Sequence, residues 1–366
     1  VNENCLHLSI TAPKNVENAP VMVWLHGGAY ISGGGDLACY QPIELAERGI
    51  VCINVTYRLG VFGYLHLDGI SPANLGLLDQ RAALQWIQAN ISTFGGNPGN
   101  VTMVGQSAGA DSIICLLVSE ETKGLFHRAI LLSPPLRDLK ERVSTGPLLS
   151  AKAERCFTKD PREMTIDELL GVQKKLLMEP VKKHIMLFAP SLGFYPLPKE
   201  EEFDQHLAEV VKDIPILIGW TGHDGRPFSS MLDPLSIFYN VPILGPSLEV
   251  FQTWYMTRSY FKWPSQKFHA QVLQAGGIST TYSFQWTAAQ NPLGACHCID
   301  IPFVLGSWKV WKVAPMLKGT DSEDEISRLG NELKTLWVDF MSGKRLRTEH
   351  ITIDRGFSVL PSIFTS

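Results

Sequence analysis

Short apolar runs, each closed by glycines or polar residues, recur along the chain and alternate with longer segments of helical period. Residues 5–11 alternate apolar and polar through Leu6, Leu8 and Ile10, which predicts a half-buried strand. Residues 20–25 (Pro20-Val21-Met22-Val23-Trp24-Leu25) and 50–55 are apolar without alternation, as strands covered on both faces are. Similar runs predict strands over 101–104, over 128–133 around Ala129-Ile130-Leu131-Leu132, over 213–219 with an early proline, and briefly over 282–284. Between them, residues 74–94 place Leu77, Leu84, Ile87 and Ile91 on one face, and Gly95-Gly96 ends that helix. Two amphipathic helices follow within 140–178, the clearer over 165–177 with Ile166, Leu169, Leu170, Gln173 and Leu176. Residues 246–276 read as helical with a break near Trp263-Pro264. The strongest stripe is Ile326, Leu329, Leu333, Leu336, Trp337, Phe340 and Met341 within 322–343. Strands and helices alternate throughout, without repeats or low-complexity linkers. That pattern predicts a single α/β domain over 1–366 with a mostly parallel sheet.

One of these runs leads into chemistry. Val101-Thr102-Met103-Val104 is followed by Gly105-Gln106-Ser107-Ala108-Gly109 and then by Ile113, Ile114, Leu116 and Leu117 on the buried face of a helix. Strand, sharp turn and helix are the context in which G-x-S-x-G forms a nucleophile elbow, with glycines flanking the serine because the turn has no room for Cβ atoms. Acyl transfer from such a serine needs a base, a carboxylate to orient it and N–H donors for the oxyanion. The Ala108 N–H is one donor candidate; His26-Gly27-Gly28-Ala29, at the end of an apolar run, is the other source. Among ten histidines, His66, His127, His184 and His206 lie in helical or polar contexts, whereas His297 sits in the late loop Gly294-Ala295-Cys296-His297-Cys298. Three carboxylates compete for the acid. Asp300 follows His297 by three residues, Asp233 precedes Pro234, and Asp224 lies between Gly222 and Gly225 just after a strand, where α/β sites form.

Composition narrows the classes. The chain has 366 residues and a net charge of −4, too small to point to nucleic acid or an anionic membrane, and no apolar run reaches the length of a membrane span. Seven dispersed cysteines are no disulfide framework and read as mostly buried thiols. Cys296 and Cys298 around His297 could suit a metal, but no second Cys/His cluster has matching spacing, so no metal is expected. The sequons at Asn54, Asn90 and Asn100 read as chance, the first lying in a strand pattern. No signal-like segment opens the chain. A cytoplasmic or secreted location stays open, with a slight lean to the cytoplasm, and nothing indicates an oligomeric state.

Together these segments resemble the type B carboxylesterase and cholinesterase family. The resemblance rests on Asn4-Cys5-Leu6-His7-Leu8, Trp24-Leu25-His26-Gly27-Gly28-Ala29, Tyr57-Arg58-Leu59-Gly60, Asn74-Leu75-Gly76-Leu77-Leu78-Asp79-Gln80, Asn90-Ile91, Phe94-Gly95-Gly96-Asn97-Pro98, the elbow, and the loops around Asp224 and His297. It implies an α/β-hydrolase fold and hydrolysis of small-molecule carboxylic esters through an acyl-enzyme, with no cofactor. It implies a triad of Ser107, Asp224 and His297 and an oxyanion hole of Gly28, Ala29 and Ala108, with Gly27 and Ser133 in support. Ala29 stands where the family has a third glycine, Asp224 where it usually has glutamate, and Cys298 where it has glycine. The segment before Cys5 and the stretch between acid and base are both short, so an N-terminal segment and some loop residues are expected to be missing. An amidase, carbamate hydrolase or lactonase would use the same triad. A non-catalytic binding or adhesion relative would lack the serine. Trp220, Phe228, Phe251, Trp254, Tyr255, Phe261 and Trp263 read as core for the most part, and otherwise as an aromatic mouth to the site.

Overall fold

The structure is a computed structural model that describes residues 2–179, 185–232, 241, 244–320, 323–346, 348–355 and 364–365. Eight strands form one sheet. They are β1 (Leu8–Thr11), β2 (Ala19–Leu25), β3 (Val51–Val55), β4 (Gly96–Gln106), β5 (Arg128–Leu132), β6 (Ile216–Thr221), β7 (Ser279–Phe284) and, after the short β8 (Arg345–Leu346), β9 (His350–Ile353). Their spatial order is β1-β3-β2-β4-β5-β6-β7-β9. Only β1, the edge strand, runs antiparallel, with Leu8 opposite Val55 and Thr11 opposite Cys52; every other pairing is parallel. β8 pairs separately with β10 (Phe364–Thr365).

The continuous apolar runs have the cause expected of them. Val21, Val23 and Leu25 of β2 enter the core on one face of the sheet, while Met22 and Trp24 enter the core on the other. Helix Leu75–Asn90 lays Leu77, Leu84 and Ile87 into the first core; helix Glu323–Met341 lays its whole predicted stripe into the second.

The structure also departs from the pattern. Helix Ala108–Val118 is buried at every residue, since the sheet and neighbouring helices enclose it, so Ile113, Ile114, Leu116 and Leu117 are buried as expected but mark no single face. The 246–276 segment begins earlier, at Leu244, and is interrupted by a π-helical turn, Thr257–Lys262, before Trp263–Gln274. Pro264 lacks an N–H and crowds the preceding turn, so the irregularity falls upstream of it. β7 is longer than its apolar core because Ser279, Thr280 and Thr281 are polar yet buried. β9 closes the sheet with a four-residue strand whose alternation is too short to stand out. His184 and Asp233 lie outside the described residues.

Candidate active site

Four loops at the C-terminal ends of parallel strands converge: those after β2, β4, β6 and β7. This is where side chains and amides in an open α/β sheet are free to face a ligand. β4 delivers Ser107, whose φ of 54° and ψ of −120° put it at the tip of a strained turn. The glycines make that turn possible. A Cβ on Gly105 would lie 2.5 Å from the Gly109 carbonyl carbon, and one on Gly109 would lie 2.0 Å from the Leu25 carbonyl oxygen. The Ser107 N–H donates to the Leu132 carbonyl at 2.8 Å, anchoring the turn to β5.

β6 delivers the candidate acid. Asp224 is wholly buried, and its Oδ1 lies 2.7 Å from His297 Nδ1. Its Oδ2 accepts from the Thr221 N–H at 2.7 Å and from Ser133 Oγ at 3.0 Å. Because an ionised carboxylate only accepts, His297 must carry its proton on Nδ1, which leaves the lone pair on Nε2. The Gln106 side-chain amide donates to that Nε2 at 3.0 Å, and no hydrogen bond joins Ser107 to His297. His297 is 8 % exposed, with the Phe228 ring edge-on at 5.2 Å and the Phe261 ring at 5.0 Å. Asp233 cannot be compared, but Asp300 is placed: it accepts from the Tyr282 hydroxyl at 3.0 Å, while the imidazole's Nδ1 meets Asp224. Burial, and then the charge of Asp224, raise its carboxyl pKa to about 6.

β2 delivers the glycine loop. Gly28 has a φ of 117° and passes so close to Ser32 that a Cβ would meet its carbonyl oxygen at 2.0 Å. Gly27 faces the elbow, where a Cβ would sit 2.5 Å from Gln106 Oε1 and 3.1 Å from Ser107 Cβ. Ala29 takes a φ of 54°, a conformation in which the family's glycine would be unstrained. The same holds for Cys298, with φ 72°. The backbone N–H groups of Gly28, Ala29 and Ala108 donate to no backbone carbonyl among the described residues. His26 is fully buried, stacks on Tyr57 with centroids 4.5 Å apart, and has its pKa lowered by burial to about 4.

Residues 1–238 match the family described as the Carboxylesterase family. The chain belongs to that family. This esterase is 37% identical over 352 residues to a probable N-octanoylanthranilate hydrolase of Rhodococcus erythropolis, spanning 94% of this chain and 77% of that one. It is 32% identical over 385 residues to the para-nitrobenzyl esterase of Bacillus subtilis, spanning 96% and 76%. Among solved structures, a thermophilic PNB esterase superposes with a TM-score of 0.82 at 27% identity, covering 99% of this chain and 82% of that one. The fold is the α/β-hydrolase fold, and the protein is a serine hydrolase of carboxylic esters.

Of the other residues singled out, Trp220 and Phe261 are core, while Phe251, Trp254, Tyr255 and Trp263 are exposed, so the seven aromatics are not mainly interior. All seven cysteines are free thiols, and no cluster among the described residues groups three or more metal-ligating side chains. Asn54 is buried and donates to the Gly35 and Tyr40 carbonyls. Gln106 is the contact that motif reasoning missed. It is the variable position of G-x-S-x-G, and only the fold shows that its amide meets the imidazole.

Proposed function

We propose that the esterase acts through a triad of Ser107, His297 and Asp224 and an oxyanion hole of the Gly28, Ala29 and Ala108 amides. The observation that carries this reading is the 2.7 Å contact between His297 Nδ1 and Asp224 Oδ1 beside an elbow serine. In acylation His297 Nε2 takes the Ser107 Oγ proton as Oγ attacks the acyl carbon. The carbonyl oxygen gains charge against the three amides, and the alcohol leaves with the proton from Nε2. A water then repeats the sequence on the acyl-serine, releasing the acid. The Gln106 amide vacates Nε2 when Ser107 Oγ engages it. Ser133 and the Thr221 N–H hold the far oxygen of Asp224, so its near oxygen stays on the imidazole. Gly27 leaves space for Gln106 beside the elbow.

Phe228 and Phe261 against His297 give the site an apolar wall, which suits an aliphatic or aromatic group next to the scissile bond. A second reading, cleavage of N-acyl compounds, is favoured by the relative named for N-octanoylanthranilate. Turnover of a matched octanoyl ester and octanoyl amide separates the two. Ser107→Ala is expected to lower kcat by ~10³-fold or more and Asp224→Asn by ~10³- to 10⁴-fold, both with the fold intact. A phosphonate that stoichiometrically labels another residue, or near-normal turnover in either variant, overturns the assignment.

A further inference from the structure

Behind the glycine loop lies a buried polar cluster that the ester-cleaving roles leave unused. Ala29 and Tyr30 are consecutive non-glycine residues with positive φ, 54° and 62°, a conformation that relaxes unless something holds it. Tyr30 is wholly buried. Its carbonyl accepts from the Gly60 N–H at 2.6 Å, and its ring packs at 4.7 Å from that of Tyr64. Its hydroxyl donates to Asp111 Oδ2 at 2.6 Å and accepts from Ser112 Oγ at 3.1 Å, and Ser112 Oγ in turn accepts from Gln80 Nε2 at 3.1 Å.

Asp111 is the junction. It lies one helical turn after Ser107, and its N–H donates to the Ser107 carbonyl at 2.9 Å. Its carboxylate also receives the Arg142 guanidinium on both oxygens, Nη1 at 2.7 Å and Nη2 at 2.9 Å. Arg142 begins the helix Arg142–Glu154, and the side chains of both ions are buried, 4% and 0% exposed. Burial works against the charge on Arg142, but Asp111 outweighs it and holds the guanidinium pKa above its ordinary value. Burial and the Asp111 charge push the Tyr30 phenol well above its own, so it remains a donor. Isolated, either ion would be costly here; paired and hydrogen-bonded, they form a fixed acceptor.

We propose that Asp111, fixed by Arg142, clamps the Tyr30 hydroxyl and so holds the Gly28 and Ala29 amides where charge develops on the substrate oxygen. Asp111 and Tyr30 are positioning residues, and the proposal rests on the oxyanion-hole reading above. The clamp joins three separate segments, the loop after β2, the helix carrying Ser107 and the helix begun by Arg142. Its geometric contribution is a fixed distance between the nucleophile and the amides, and misplacement on the ångström scale there costs on the order of 10²-fold.

The test is Tyr30→Phe, which deletes one hydroxyl and leaves the Asp111–Arg142 pair intact. Activity is expressed per site titrated with a phosphonate, so loss of folded protein does not count. The expected result is a ~10- to 100-fold fall in kcat with KM within about threefold, and an equal loss of affinity for a trifluoromethyl ketone, whose adduct places an oxyanion in the hole. Ser112→Ala, which removes the donor to the Tyr30 hydroxyl together with the acceptor for Gln80, leaves the Tyr30–Asp111 bond in place and is expected to show a smaller fall of the same kind. Unchanged kcat per titrated site in Tyr30→Phe, or a loss confined to KM, overturns the clamp. The triad and the clamp fail separately: an active Ser107→Ala refutes the triad, whereas an inert Ser107→Ala beside a normal Tyr30→Phe refutes the clamp and leaves the triad standing.

Discussion

At the scale of single residues, Gln106 has the most direct effect on the proposed base. Its amide contributes a neutral donor to His297 Nε2, so Asp224 is the carboxylate that meets the imidazole. Gln106→Glu would put a second carboxylate within hydrogen-bond reach. An adjacent negative charge competes for the imidazole that has to take the serine proton, so kcat/KM is expected to fall, and an unchanged kcat/KM shows that the side chain turns away in the working enzyme. Turn glycines and strand ends leave a local trace by which Ser107, Asp224 and His297 stand out as candidates, and the fold brings the last two within hydrogen-bond distance. Gln106 and Asp111 left none. Both act through residues distant in sequence, Gln106 on His297 and Asp111 on Tyr30 and Arg142, and no local pattern encodes such a meeting.

The elbow element, β4 with the helix Ala108–Val118, is governed by clearance. Gly109 passes the β2 carbonyls so closely that a methyl group would sit inside Leu25 O, and backbone at that point has no side chain to swing aside. Gly109→Ala is therefore expected to abolish soluble expression or lower the thermal midpoint steeply, while Gly171→Ala, where a Cβ meets nothing within 4 Å, serves as the neutral control in a differential scanning measurement. The glycine pattern in the motif could be read because backbone contact this close allows no other residue. The extent of burial around the same helix could not, because a helix enclosed on all sides has no polar face to give a period. The π-turn at Thr257–Lys262 was half legible: Pro264 announced an interruption, but where the chain absorbs it depends on packing.

For the molecule as a whole, two buried ionisable groups set opposing dependences on pH. His26 has a folded pKa of about 4 against 6.5 when free, so it gives up its proton on folding, and stability is lost as pH falls through that interval. Asp300 has a folded pKa of about 6 against 3.8, so the folded state keeps a proton the unfolded chain releases, and stability falls as pH rises through its interval. Each is worth on the order of 3 kcal/mol, and between about pH 4 and 6 they cancel. Asp300→Asn removes one side of that balance. It is expected to be more stable than the parent at pH 7 by a few kcal/mol and to lose the advantage by pH 4, read from urea midpoints at the two pH values; equal midpoints at pH 7 would contradict the buried charge.

The strand order has a consequence for biosynthesis. Ser107 and the glycine loop precede β5 in the chain, whereas His297 follows β7. On the proposed roles, a nascent chain carries its serine without a base until the loop after β7 has been made. Esterase activity then waits on that loop and on the docking of β7 beside β6.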